Sequence, residues 1–250
     1  MSARRAVSDR AARSRSFESV AAEYERHRPE YPAEALRWAA DQLGLEPGAR
    51  VLDVGAGTGK LTRGLVALGF AVAAVEPGGA MLEQLRLAVP EAEALGGAAE
   101  SIPLPDASVE AAFAGQAYHW FDRERALPEL HRVIGPGRGL ALLWNWWDER
   151  DPLQRELGRI VGYSGQRPYT EEELPGAPWF REVARTVVDS AEESSPEAVV
   201  SRIATTSMFL TMDAAERERR LAEVRDLASR SGDRFLLSRQ TFVLAFARIS

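Results

Sequence analysis

At 250 residues and 45% hydrophobic content, the chain has the size of one α/β domain and enough apolar residues to fill its core. It has no cysteine, which excludes disulfides, zinc–thiolate sites and a cysteine nucleophile. A net charge of −6 and a pI of about 5.3 count against nucleic acid as the main partner, and no apolar run reaches the length of a membrane span, so a cytoplasmic protein is expected.

Residues 1–16 hold Arg4, Arg5, Arg10, Arg13 and Arg15 against Asp9 alone, the pattern of a flexible basic tail, with a nucleic-acid arm or an organelle-type presequence as the alternatives. They contain no apolar core of the kind a secretory signal needs. The main domain is expected over 17–250. In the run Glu23 to Pro32, Pro29 disfavours helix at Arg28, so a first helix ends there and a second starts at Pro32. Leu36, Ala39, Ala40 and Leu43 recur at helical spacing and form the buried stripe of the second helix.

Val51 to Lys60 is the most informative stretch. An apolar run ending in Asp53 breaks into Gly55, Gly57 and Gly59, and an amphipathic segment from Leu61 to Leu68 follows. This reads as strand, tight turn and helix, with glycine where the backbone needs positive φ or must admit a ligand closely. A phosphate-cradling loop would need Ser or Thr after Gly59-Lys60 and Gly at position 54, but the chain has Leu61 and Val54. A dinucleotide fingerprint would place its third glycine one residue later.

The pattern Asp53-x-Gly55-Ala56-Gly57-x-Gly59 resembles the first motif of class I S-adenosylmethionine-dependent methyltransferases. The resemblance implies a Rossmann-like α/β fold with strand order 3-2-1-4-5-7-6, and a turn that packs against the methionine part of S-adenosyl-L-methionine. The earlier run Tyr24-x-x-x-Arg28-Pro29-x-Tyr31-Pro32 is similar to the N-terminal lid of the type 11 branch, which includes trans-aconitate methyltransferase-like proteins. Tyr24 and Arg28 are then expected over the cofactor's carboxylate side, and Tyr31 near the substrate, in a lid over 17–32.

Ala71 to Val75 is a continuous apolar run, as in a strand buried on both faces, and it ends in Glu76. An acid there can accept hydrogen bonds from ribose hydroxyls. Pro77 and Gly78-Gly79 turn the chain into a helix whose Met81 the resemblance places near adenine. A third strand is expected over 92–95. The loop Gly97 to Asp106 resembles the adenine-side loop of the family, with Ala98 in place of its usual acid. Contact there would fall to the backbone at Ala99 and to Glu100.

A fourth strand over 109–114 leads into Gln116-Ala117-Tyr118-His119-Trp120-Phe121. This matches the segment after strand four in the family, so Gln116, His119 and Trp120 are expected beside the reacting methyl. His119 is the candidate base or orienting group. Asp122 is expected to cap the next helix, and Gly135-Pro136-Gly137 to end it, with His131 packed on that helix. Strand five, over 139–144, runs into Trp144, Trp146 and Trp147, an aromatic cluster that suggests an apolar substrate wall. Relatives often carry Arg at the position of Trp147, whose absence hints at a less anionic or more aromatic substrate.

Further on, a helix over 153–161, a polar loop over 163–178, a strand over 183–189, helices from Ser195-Pro196 and from Asp213, and a last strand over 242–249 complete the pattern. A helical insertion at about 196–230 is expected to cap the substrate site. The expected activity is methyl transfer from S-adenosyl-L-methionine to an oxygen, nitrogen or carbon of a small molecule. The alternatives are a non-catalytic binder of that cofactor, an NAD-dependent oxidoreductase, and a nucleic-acid methyltransferase resting on the Arg-rich tail. No metal is expected, and the oligomeric state is open.

Overall fold

The core is built on short apolar segments whose ends are marked by glycine. The computed structural model describes residues 21–163 and 168–250; the basic tail, the start of the expected lid and part of the polar loop lie outside them. Seven strands form one sheet: β1 (Arg50–Val54), β2 (Ala71–Glu76), β3 (Glu93–Gly96), β4 (Val109–Gly115), β5 (Ile134–Trp146), β6 (Phe180–Ser194) and β7 (Phe235–Arg248). Their order is β3-β2-β1-β4-β5-β7-β6, the order the resemblance implies. The first five run parallel, with Val51 of β1 opposite both Val72 of β2 and Ala111 of β4. Val51, Leu52, Ala73, Ala111 and Ala112 are at most 1% exposed, as strands covered on both faces require.

The helices are α1 (Ala21–His27), α2 (Ala33–Gln42), α3 (Lys60–Ala67), α4 (Gly79–Ala88), α5 (Arg123–Val133), α6 (Pro152–Val161), α7 (Pro196–Ala204), α8 (Ser207–Leu210) and α9 (Ala214–Ser229). The described chain divides into two compact units. One holds residues 29–145, 168–188 and 241–250; the other holds residues 21–28, 146–163 and 189–240.

In the first unit, one apolar cluster joins Leu52, Val54, Phe121, Leu130, Leu142, Trp144, Phe180 and Phe246, and a second joins Leu36, Ala39, Leu61, Leu65, Phe113 and Leu143. The stripe read on α2 is therefore the face that packs. His131 lies against the Trp179 ring and donates to the Ile249 carbonyl at 2.8 Å, a packing role. In the second unit, Leu157, Val161, Val199, Ile203, Phe209, Val224 and Leu237 form the core. Its helices start on side-chain caps: Asp151 accepts from Leu153 N, Ser195 from Ala198 N, and Asp213 from Ala215 N and Glu216 N.

Several expectations need correcting. α5 does end at Val133, just before Gly135-Pro136-Gly137, but the strand starts earlier than expected: α5 passes straight into β5, and Ile134 pairs with Val109. The irregular residues sit at a register shift between Val109 and Ala111, where a strand tolerates glycine and proline. Asp122 takes the N-cap position of α5, but its side chain makes no capping bond. Glu216 does not reach back as a capping box, because Arg219 and Arg220 hold its carboxylate. Strands β6 and β7 are far longer than their apolar stretches, since polar residues occupy alternate positions along them.

Candidate cofactor and active site

The carboxyl ends of β1, β2 and β4 carry the candidate residues in the first unit. The turn after β1 is fastened to β2, with Gly55 N and Ala56 N donating to the Val75 carbonyl at 2.8 and 3.1 Å. Gly55, Gly57 and Gly59 all have positive φ, at 70°, 59° and 91°. Their reasons differ. A Cβ on Gly55 would stand 2.6 Å from the Ala117 Cβ, and one on Gly59 would stand 3.1 Å from Val89 Cγ2. A Cβ on Gly57 would meet nothing within 4 Å. Gly55 and Gly59 are thus small so that elements can pack, whereas Gly57 leaves a bare backbone face.

Glu76 closes the turn from the β2 side. Its Oε2 accepts from Gly57 N at 2.9 Å and its Oε1 from Gly78 N at 2.8 Å, at the start of α4. Pro77 is exposed beside it, and Met81 is buried on α4 at 5% exposure. Gly97 N donates to the Glu76 carbonyl, which ties the next loop to the same corner. In that loop Ala99 is buried, and Glu100 accepts from the Asp122 amide at 2.7 Å.

Asp53 is fully buried at the end of β1. Thr62 Oγ1 of α3 donates to its Oδ2, and Oδ1 has no partner. Burial raises its pKa to about 7; the nearby Glu76 charge adds to this and the Thr62 hydrogen bond opposes it. An orphaned buried carboxylate oxygen suits a cation.

After β4, Gln116 adopts φ 53°, a left-handed conformation uncommon outside glycine and costly in strain. Its amide nitrogen bonds the Leu143 carbonyl, and its side chain donates to the Asn145 carbonyl at 2.6 Å. Asn145 in turn donates to the Glu30 carbonyl and accepts from Thr241 Oγ1. Glu30 also binds Lys60 and Arg63 of α3, so Tyr31 is held over the end of β4, where a Cβ on Gly115 would lie 2.6 Å from its hydroxyl. His119 is exposed in a 3-10 turn over Tyr118–Trp120, its ring 4.7 Å from that of Trp120. Trp144 Nε1 approaches His119 Nδ1 at 3.4 Å.

The three tryptophans divide between the two units. Trp144 is 1% exposed and packs on Tyr169, so it supports His119 rather than presenting a face of its own. Trp146 and Trp147 belong to the second unit, where the Trp146 ring lies tilted against that of Tyr163 and Trp147 packs against the apolar core. Tyr24 and Arg28 also lie in the second unit: Arg28 stands over the Tyr24 ring and donates to the Thr205 carbonyl at 2.9 Å.

Sequence reasoning missed Thr62, Glu30, Asn145 and Arg132. Arg132 holds the loop after β3 through the carbonyls of Ile102 and Leu104 and through Asp106 and Glu129. Polar residues at helical or strand positions carry no motif, so only the three-dimensional contacts single them out.

S-Adenosylmethionine fits this donor set. Its ammonium matches Asp53 Oδ1, a close backbone approach matches Gly57, and ribose hydroxyls match Glu76. Sheet order, turn and acidic pair are those of the class I S-adenosylmethionine-dependent methyltransferases. Comparison with known proteins agrees. The methyltransferase domain family matches residues 52–143. An uncharacterized methyltransferase of Mycobacterium bovis is 45% identical over 214 residues, 85% of this chain and 85% of its own. A malonyl-[acyl-carrier protein] O-methyltransferase of Methylococcus capsulatus is 42% identical over 102 residues, 38% of this chain and 37% of its own. A solved structure from Anaeromyxobacter dehalogenans, described as a type II methyltransferase, matches with a TM-score of 0.68 at 28% identity, over 87% of this chain and 97% of that one. The chain belongs to this methyltransferase family, as an enzyme that uses S-adenosylmethionine.

Proposed function

We propose that the protein methylates a small molecule at an oxygen that is already ionised at neutral pH, a carboxylate. The observation that carries this is the His119–Trp144 contact. An indole N–H can only donate, so His119 Nδ1 accepts, and the proton of the neutral imidazole sits on Nε2. An imidazole in that tautomer donates from Nε2 and has its one lone pair turned to Trp144. It suits orientation of an anionic oxygen better than removal of a proton.

Bound S-adenosylmethionine supplies a methyl group made electrophilic by the sulfonium charge. The residues then have positioning to do. Asp53 holds the ammonium, Gly57 admits the cofactor, Glu76 takes the ribose, and Met81 and Ala99 border adenine. Gln116, fixed in its strained conformation, and His119 with Trp120 border the methyl. Orienting two reactants in a dry site can contribute about 7–11 kcal/mol. A carboxylate needs no base, since its ordinary pKa is about 4.

The net charge of −6 supports a small molecule over nucleic acid. The partial match to an O-methyltransferase supports oxygen as the acceptor. The test is to incubate the full chain with methyl-labelled cofactor and a cell extract separated into metabolite, protein and nucleic-acid fractions. Label in the metabolite fraction is expected; label confined to macromolecules overturns the reading.

A further inference from the structure

The second unit contains a buried cluster of charge that the methyl-transfer site does not use. Glu192 of β6 accepts at Oε1 from Arg202 of α7 and lies 2.5 Å from Arg239 Nη2 of β7. Arg202 Nε also donates to the His27 carbonyl at the end of α1. Arg28, the next residue, is close enough for its charge to weigh on Arg202. Among the described residues, Glu192 is the one acid paired with any of these three arginines. Among the described residues, Arg202 and Arg239 thus share one paired acid and Arg28 has none.

Burial makes that imbalance costly. Arg239 is 8% exposed, and Glu192 is its one polar partner among the described residues, although a guanidinium carries five N–H donors. The Arg202 side chain is 18% exposed, and desolvation lowers its pKa even beside Glu192. The Arg28 Nε is buried without a partner. Ser190 and Ser194 share the face of β6 that carries Glu192, and their hydroxyls, both buried, have no partner either; Ser194 is 6% exposed. Donors outnumber acceptors throughout, and the 34% exposure of the Glu192 side chain gives a way in.

We propose that this cluster is an anion site that takes one compact oxyanion, the carboxylate or phosphate group of a small ligand. Guanidinium forks match such groups in geometry as well as charge. The bound anion would share Arg239 with Glu192 and accept from Arg28 and from one of the neighbouring serine hydroxyls. The inference rests on the second unit alone and not on the identity of the methyl acceptor.

The test is calorimetry of the full chain at low ionic strength, titrated with inorganic phosphate and, separately, with succinate. Saturable binding of at least one is expected, and which one binds separates a phosphate ligand from a carboxylate ligand. Arg239→Gln should weaken that binding about tenfold or more while S-adenosylmethionine affinity is unchanged. Glu192→Gln, which removes the competing carboxylate, should tighten it. A purely structural ion pair predicts no saturable binding in any of the three proteins. That result, or equal anion affinity in wild type and both variants, overturns the proposal.

Discussion

Thr62 Oγ1 donates a 2.6 Å hydrogen bond to Asp53 Oδ2, and both residues are fully buried. The bond orients the carboxylate and leaves Oδ1 buried without a partner. With a folded pKa of about 7 against an ordinary 3.8, Asp53 holds its proton in the folded protein while the unfolded chain loses it. Without cofactor, stability is therefore greatest below pH 4, falls as pH rises toward 7, and then levels off. The full span is on the order of 4 kcal/mol. Asp53→Asn should flatten this component, measured as urea unfolding of both proteins at pH 4.5 and pH 7.5. The same pH dependence in both would show that Asp53 does not titrate in that range.

Cofactor affinity should carry the opposite sign. The ionised form of Asp53 is the one that pairs with an ammonium, so S-adenosylmethionine should bind more tightly as pH rises from 6 to 8. Binding near pH 6 should also release a proton, visible in calorimetry as a heat that depends on the buffer. Asp53→Asn should bind more weakly and lose the dependence. A proton uptake in the wild type would contradict the assignment.

Glu76 and Gly57 separate cofactor binding from folding. Glu76→Ala should weaken affinity about tenfold to a hundredfold, since a charge-assisted hydrogen bond contributes about 1.5–3 kcal/mol. Gly57→Ala has room for its methyl in the protein, so its stability loss should stay near the roughly 1 kcal/mol of the positive φ, while affinity drops at least as far as in Glu76→Ala. Gly55→Ala should do the reverse and mainly unfold the protein, because its Cβ would collide with Ala117. Thermal unfolding and titration of the three variants check this; equal affinity in wild type and Gly57→Ala would remove the turn from the cofactor site.

His119 should behave as an orienting donor. His119→Gln keeps an N–H donor and should retain turnover within about tenfold, whereas His119→Ala should lose about 10²-fold or more. Cofactor affinity should stay unchanged in both. Equal, severe loss in the two variants, with a wild-type rate that falls below pH 6–7, would instead mark His119 as a base.

Much of this arrangement was legible before the fold. The turn at Gly55, Gly57 and Gly59 has few sequence-level meanings, and its spacing separates them. Strands β1, β2 and β4 announce themselves because both of their faces are buried and their runs are mostly apolar. Strands β6 and β7 do so only in part, since alternation with charged residues hides their length. Gly135 to Gly137 mark the end of α5 but hide the start of β5 at Ile134, because glycine and proline mark helix ends and strand irregularities alike. An aromatic run does not show which of its members is buried, and Trp144 proves to lie in the core. Thr62 and Asn145 have no motif, and their importance comes from partners 9 and 96 residues away, at Asp53 and Thr241.

The central claim is transfer of a methyl group to a carboxylate, and the chemistry of the product tests it most directly. The full chain is incubated with S-adenosylmethionine labelled in its methyl group and with an extract of small metabolites, and the labelled product is then treated with mild alkali. A methyl ester hydrolyses under those conditions and releases the label as volatile methanol, which is the predicted result. Label that stays on the product after alkali marks an ether, an amine or a carbon centre, and would contradict the claim.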